Sequence, residues 1–156
     1  MDQNRGTVDA TGLHVAVLVA RFHAEITDRL LAGALEAFRE HGAADDDITV
    51  LRVPGAWELP QTAARAVESG NFDAIVTLGC VIRGETPHFD FVCQEATLGL
   101  GEVARGSDIP VVFGVLTTDD IAQASARARE GRDNKGYEAA MAALEMVGVY
   151  RALEVE

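Results

Sequence analysis

Residues 79–91 read GCVIRGETPHFDF, and the apolar run at residues 74–78 ends there in a glycine-rich polar loop. A helix is predicted to follow this loop at once. We expect Thr86 to cap that helix through its hydroxyl. Pro87 would take the first helical position, where its fixed φ is suitable and its missing N–H is no loss. His88 is therefore predicted to lie in the first turn of the helix.

The predicted helix start is also a candidate anion site. Helix N-termini carry free N–H groups and a partial positive charge, so Gly84, Glu85 and Thr86 could hold an anion through their backbone. The same field favours a neutral imidazole at His88, which can accept a proton near neutral pH. The alternative is a plain strand-to-helix turn with a solvent-exposed histidine, and the loop alone does not decide between the two.

Apolar segments alternate with helical stripes on both sides of this loop. Valine-rich or nearly continuous apolar runs predict strands at residues 13–20, 48–53, 74–78 and 110–116. Apolar residues recurring every three or four positions predict helices at residues 26–42, 59–70, 89–106, 119–129 and 136–153. We therefore predict one α/β domain over residues 1–156, a three-layer α/β/α sandwich around a four-stranded parallel sheet.

Ligands of such sheets bind at the carboxyl ends of the strands. In this chain those ends lie at residues 21–23, 54–58, 79–88 and 117–118. Phe22 and Trp57 directly follow strands, where two aromatic rings could stack on a flat heterocycle, although each alone is more often a core residue. Glu58 is expected as a helix-start carboxylate or as an acceptor for a polyol or ring N–H.

Charge and composition exclude several classes of protein. The formal net charge is −12, and no cluster of Lys and Arg is longer than a pair, so we expect neither nucleic acid nor a membrane as a partner. The first ten residues lack the apolar region of a signal peptide, which favours a cytoplasmic protein. Cys80 and Cys93 have neither CxxC spacing nor a zinc-type histidine pattern, so we expect reduced thiols and no metal site.

Five motifs, in order along the chain, resemble the lumazine synthase family. They are RF at 21–22, PGAWELP at 54–60, GCVIRGETPHFDFV at 79–92, FGVLTTD at 113–119 and NKGYEAA at 134–140. The resemblance runs from about residue 13 to the C-terminus and implies a flavodoxin-like strand order. It further implies a transferase that condenses 5-amino-6-(D-ribitylamino)uracil with 3,4-dihydroxy-2-butanone 4-phosphate to give 6,7-dimethyl-8-ribityllumazine, phosphate and water. This is the penultimate step of riboflavin biosynthesis and needs no metal or redox cofactor.

The resemblance also implies a role for each residue that matches a family motif. His88 would move protons during imine formation and phosphate loss. The phosphate would be bound by the backbone of Glu85 and Thr86 and by Arg127 of the adjacent subunit. The implied contacts to the pyrimidine and ribityl chain are Phe22, Ala56, Trp57, Glu58, Cys80, Val81 and Ile82, with Phe113 and Lys135 from the adjacent subunit.

Without the resemblance, Arg127 and Lys135 would be interpreted as part of a solvated basic face, because they are distant from the predicted strand ends. Two site positions differ from the commonest family pattern. Ala56 stands where serine is frequent, and His23 stands where asparagine is frequent.

A homo-oligomer is implied by a site that takes residues from two subunits. The family forms pentamers, and the short turn at residues 129–134 favours an icosahedral capsid built from pentamers. Association with riboflavin synthase is a further implied partnership. Residues 1–12 are expected to be flexible or to contact a neighbouring subunit. The alternative function is a non-catalytic flavin- or lumazine-binding shell or carrier of the same fold, which we would expect to lack His88 or Arg127.

Overall fold

The structure is a computed structural model that describes residues 1–154. Strands and helices alternate along the chain in the order β1 (Val15–Ala20), α1 (Ala24–Glu40), β2 (Ile48–Val53), α2 (Leu59–Ser69), β3 (Ala74–Ile82), α3 (His88–Arg105), β4 (Val111–Thr118), α4 (Ile121–Arg127) and α5 (Lys135–Leu153). Short 3₁₀ turns at Asp45–Asp47 and Ala56–Glu58 precede β2 and α2. The five predicted helices are present, with ends shifted by at most about two residues.

The sheet is parallel throughout and has the strand order β2-β1-β3-β4. β1 lies between two neighbours and all six of its residues are buried, as its continuous apolar sequence predicts for a strand covered on both faces. This arrangement confirms the predicted three-layer α/β/α fold. The order is the flavodoxin-like one without a fifth strand.

Alternate side chains of β1 point into two separate cores. Val15, Val17 and Val19 belong to a core that α1 and α5 cover, together with large buried residues such as Phe38. Ala16 and Leu18 belong to the opposite core, which α2 and α3 cover. The helices therefore lie in two layers that cover the two faces of the sheet. The carboxyl ends of the strands lie between these layers, where a site can form.

The third strand is longer than predicted. The prediction that this strand ends at residue 78 and that a loop begins at Gly79 is wrong, because β3 continues to Ile82. Gly79 pairs with Val115 of β4, and the ladder runs on to the pair of Ile82 with Thr118. A Cβ at Gly79 would lie 3.3 Å from Leu59 Cδ1, so the glycine admits close packing of α2 rather than a turn.

Part of the N-terminal segment packs on its own chain. Gly6 lies so close to α5 that a Cβ there would overlap the carbonyl oxygen of Glu145, and Ala10 is fully buried. The Ala10 N–H donates to the His41 carbonyl at 2.8 Å. The predicted contact of residues 1–12 with a neighbouring subunit stays a prediction, as does the domain range 1–156, whose last two residues lie outside the described ones. Within residues 1–154, none of the helices has the length and apolar character needed to cross a bilayer.

Candidate active site

A cavity of about 520 Å³ lies at the carboxyl ends of β1, β2 and β3, beside the start of α3. Its volume is within the usual range for small-molecule sites. The lining residues are Phe22, His23, Pro54, Gly55, Ala56, Trp57, Glu58, Cys80, Val81, Ile82, Gly84, Thr86, His88, Phe89 and Val92. The cavity is therefore formed by three segments that are far apart in the sequence but meet at one edge of the sheet, at residues 22–23, 54–58 and 80–92.

Most of the predicted site residues meet in this cavity. Nine of them line it, namely Phe22, Ala56, Trp57, Glu58, Cys80, Val81, Ile82, Thr86 and His88. Glu85 is in the same loop but is not part of the lining. Phe113 and Lys135 line a separate cavity of about 260 Å³ between β4 and α5, and Arg127 lines neither cavity. One chain alone therefore does not bring the predicted set together.

Two exposed aromatic rings stand at the mouth of the cavity. Phe22 is 67% exposed and Trp57 is 52% exposed, which is unusual for such large apolar side chains. The Phe22 N–H donates to the Pro54 carbonyl at 3.0 Å, which ties the end of β1 to the end of β2. The exposed rings of Phe22 and Trp57 can stack on a flat ligand ring.

The turn at Ala56–Glu58 supplies the second side of the cavity. It follows the Pro54–Gly55 break and is closed by the Glu58 N–H, which donates to the Gly55 carbonyl at 3.2 Å. Ala56 is 5% exposed and points inward, whereas the Glu58 carboxylate is only half-buried. The turn therefore presents a carboxylate acceptor next to an apolar wall.

The end of β3 supplies the floor. Cys80 is 3% exposed, and burial, aided by the charge of Glu25, raises the pKa of its thiol to about 11. A thiol in this state stays protonated at neutral pH and is a poor nucleophile. Cys80 is thus suited to shaping the cavity and not to covalent chemistry.

The loop between β3 and α3 has free hydrogen-bond donors. Among residues 1–154, the backbone N–H groups of Gly84, Glu85 and Thr86 donate to no other group, and all three residues are exposed. α3 begins at His88, directly after Pro87. The Thr86 hydroxyl accepts from the His88 N–H at 3.4 Å. The N-cap residue is Pro87 and not the predicted Thr86, so the helix begins one residue later than predicted. These donors lie directly before the positive end of an 18-residue helix, a location that favours an anion.

The His88 side chain is exposed and lines the cavity. No side-chain hydrogen bond of this imidazole is formed within the described part of the chain. Within residues 1–154 both ring nitrogens are therefore left available for hydrogen bonds to a substrate. The site combines stacking faces, anion donors and one imidazole. It can hold a flat ring and an anion together and transfer a proton between them.

Comparison with known proteins assigns the chain to a family. The family model described as 6,7-dimethyl-8-ribityllumazine synthase matches residues 12–151. A 6,7-dimethyl-8-ribityllumazine synthase of Desulfatibacillum aliphaticivorans is 52% identical over 92% of this chain and 93% of the relative. Proteins of the same name from Chlorobium phaeobacteroides and Chlorobaculum tepidum are each 49% identical, over 96% and 95% of this chain and 96% of each relative.

The chain belongs to the 6,7-dimethyl-8-ribityllumazine synthase family. This confirms the prediction made from the five motifs. Lumazine synthases are transferases of riboflavin biosynthesis, so the predicted class of enzyme is confirmed as well.

The backbone at His23 has a left-handed conformation that suits few side chains. His23 has φ 60° and ψ 51°, and it is the only residue besides glycine with positive φ in the described chain. Its carbonyl accepts from the N–H groups of Ile26 and Thr27, which starts α1. Asparagine and histidine are among the few side chains that tolerate this conformation. The His23 ring packs edge-on against Phe22, with centroids 4.5 Å apart.

Two residues that line the lumazine synthase cavity were missed as site residues. Phe89 and Val92 were assigned only to the apolar stripe of α3, yet both also line the cavity. Phe89 is 9% exposed, so it serves the core and the cavity wall at once. Spacing was an available signal for Val92 alone, because it follows His88 by four residues and so lies on the same helix face, whereas Phe89 follows His88 by one residue and does not.

Proposed function

We propose that the cavity is the site at which the protein condenses 5-amino-6-(D-ribitylamino)uracil with 3,4-dihydroxy-2-butanone 4-phosphate. The products are 6,7-dimethyl-8-ribityllumazine, phosphate and water, the reaction that the family resemblance implies. One observation carries the proposal. Exposed aromatic side chains line one cavity of a chain in the lumazine synthase family, together with backbone donors at a helix start and an imidazole that have no hydrogen-bond partner within residues 1–154.

The pyrimidine is proposed to bind against Phe22 and Trp57. A flat, polar heterocycle gains from stacking on aromatic faces, and both rings are more than half exposed. Glu58 would accept hydrogen bonds from the ribityl hydroxyls. Cys80, Val81 and Ile82 would form the wall behind the ring.

The phosphate is proposed to bind the N–H groups of Glu85 and Thr86 at the start of α3. Backbone donors and the helix dipole suit a dianion there, in a chain whose net charge of −12 otherwise repels it. Arg127 of an adjacent subunit would add a charge-assisted contact. Its Nη1 donates to the Gln123 carbonyl at 2.9 Å, which leaves the other guanidinium donors for an anion.

His88 is proposed to carry the protons of the reaction. Imine formation between the amine and the ketone needs a proton on the departing hydroxyl, and loss of phosphate needs a proton removed from the adjacent carbon. One imidazole can act as acid and base in turn. Holding the amine and the ketone side by side removes much of the entropic cost of their encounter.

The active site is proposed to be completed by a homo-oligomer. Phe113, Lys135 and Arg127 do not line the main cavity of their own chain, which supports their use at a neighbour's site. We propose pentamers, and from the short connection between α4 and α5 at residues 128–134 an icosahedral capsid of pentamers. Association with riboflavin synthase stays a prediction of the resemblance. The two free cysteines support a reducing cytoplasm as the location.

Light scattering over a salt series tests the capsid. The charge of −12 on each chain makes subunits repel, so we expect capsid-sized particles at moderate salt and loosening at low salt. Particles of pentamer size at every salt concentration would overturn the capsid and leave the enzyme assignment unaffected.

Mixing the two substrates with the protein tests the function. We expect lumazine absorbance and phosphate release together, at a rate proportional to protein concentration. Heat-unfolded protein measures the spontaneous reaction. A protein that binds the lumazine but does not exceed that background would be the carrier, an alternative that family membership does not favour.

A further inference from the structure

We propose that Arg83 is a positioning residue, which fixes the loop at residues 84–87 and the first turn of α3 without contacting substrate. The inference rests on the proposed function, because it concerns the donors and the imidazole assigned there. Arg83 itself does not line the cavity. Its importance lies in the contacts that it makes on both sides of the loop.

Arg83 joins the end of β4 to the start of α3. Its backbone N–H donates to the Thr118 carbonyl at 2.9 Å, and its Nε donates to Asp119 Oδ1 at 2.9 Å. Its Nη1 lies 3.6 Å from Asp90 Oδ1. The guanidinium carbon lies 4.4 Å from the centre of the Phe89 ring, at a distance suited to a cation–π contact. The Arg83 backbone thus pairs with the last residue of β4, and its side chain contacts Asp119, the next residue, together with both residues that follow His88.

The loop has little else to hold it. The N–H groups of Gly84, Glu85 and Thr86 make no hydrogen bond within residues 1–154, and the long bond from the His88 N–H to the Thr86 hydroxyl is the one side-chain bond of the loop there. The positions of the donors therefore depend on the two ends of the loop. Donors that are fixed in advance bind a developing anion better than donors that must first be ordered.

The surroundings of Arg83 argue against direct phosphate binding. Asp119 and Asp90 both lie within ion-pair distance, so two carboxylates offset one guanidinium and would repel a phosphate. Asp119 is itself fixed, because its N–H donates to the Gln123 side chain at 2.8 Å. Because its partner Asp119 is held in place, Arg83 can fix the first turn of α3 relative to the turn that follows β4.

The contacts of Arg83 with a carboxylate and an aromatic ring require a guanidinium group. A planar guanidinium can donate from Nε to a carboxylate while it stacks on a ring, which an ammonium group cannot do. The ion pairs are about half exposed and contribute little to stability, so Arg83 variants are expected to fold. A kinetic effect can then be separated from a loss of structure.

Steady-state kinetics of Arg83→Gln, Arg83→Lys, Asp119→Asn and the double variant Arg83→Gln/Asp119→Asn test the inference. Arg65→Gln, which breaks the exposed Arg65–Glu68 pair on α2, is the matched control. We expect Arg83→Gln to lower kcat/KM for the butanone phosphate by about ten- to a hundredfold, with the pyrimidine KM and the melting temperature unchanged. Asp119→Asn should have a similar effect, and the double variant should be no worse than either single one. Arg83→Lys should not rescue activity.

Two results would overturn the proposal. Wild-type kinetics in Arg83→Gln would show that Arg83 is not needed to position the loop. A loss in Arg83→Gln that is absent in Asp119→Asn would make Arg83 a direct phosphate ligand.

If the wild-type protein itself forms no lumazine, the proposed function fails. The role of Arg83 is then tested separately, by measuring the binding of inorganic phosphate by calorimetry. Weaker binding in both Arg83→Gln and Asp119→Asn, but not in Arg65→Gln, would support positioning, and unchanged binding would refute it.

Discussion

Replacing Asn134 should destabilise the protein strongly, because one buried amide connects two helices. Asn134 is 2% exposed. Its Oδ1 accepts from the N–H groups of Gly136 and Tyr137, at 2.8 and 3.1 Å, and so caps α5. Its Nδ2 donates to the Arg29 carbonyl of α1 at 3.0 Å. All three hydrogen bonds are lost in Asn134→Ala.

The magnitude follows from these contacts. Loss of an N-cap costs about 1 kcal/mol, with a range of roughly 0.5–2. The buried bond to the Arg29 carbonyl adds about 1 kcal/mol, and more if water does not reach the carbonyl. The total is about 2–3 kcal/mol. Since each kcal/mol shifts the melting temperature of a domain of this size by about 2–4 °C, we expect a drop of roughly 5–10 °C.

Thermal unfolding measures this effect, with all variants at the same protein concentration because oligomerisation shifts apparent stability. Asn134→Ser keeps a capping oxygen but loses the bond to Arg29, so it should show about half of the drop. Asn71→Ala is the matched control, since Asn71 is exposed and its side chain makes no hydrogen bond within residues 1–154. A drop below about 2 °C for Asn134→Ala would refute the reasoning.

Three further predictions concern the site. His88→Ala should lower the condensation rate by roughly ten- to a thousandfold with the fold intact, because a general acid–base is lost, and an unchanged rate would remove His88 from the mechanism. Arg127→Ala should raise KM for the butanone phosphate because a charge-assisted contact is lost, and a raised KM for the pyrimidine instead would contradict the assignment. The third prediction concerns Cys80. Burial raises the pKa of its thiol to about 11, whereas the pKa of an unfolded thiol is about 8.5. The folded state then binds more protons, so stability should fall as pH rises from about 9 to 11. Melting curves of Cys80→Ser should show a smaller loss if the linkage is right, because Cys93 and Tyr137, whose pKa values are also raised, still contribute.

Local sequence patterns determined the fold class and the family. Continuous valine-rich runs such as residues 15–20 are specific to strands covered on both faces, and helical stripes between them imply a parallel sheet. Both signals depend on neighbours within a few residues, so they are readable without tertiary structure. The placement of residues 22, 54–58 and 80–88 at one edge followed from the rule that parallel strands end together.

Only the tertiary structure decided features that depend on distant partners. Gly79 resembles a loop residue in sequence, but pairing with Val115 and packing against Leu59 keep it in the strand. The contact between Arg83 and Asp119 spans 36 residues, and no local pattern indicates it. The left-handed backbone of His23 arises where β1 must turn into α1, under hydrogen bonds from Ile26 and Thr27. In each case the stabilising contacts are made by groups that are distant in sequence and that folding brings together. A window of neighbouring residues does not contain these groups.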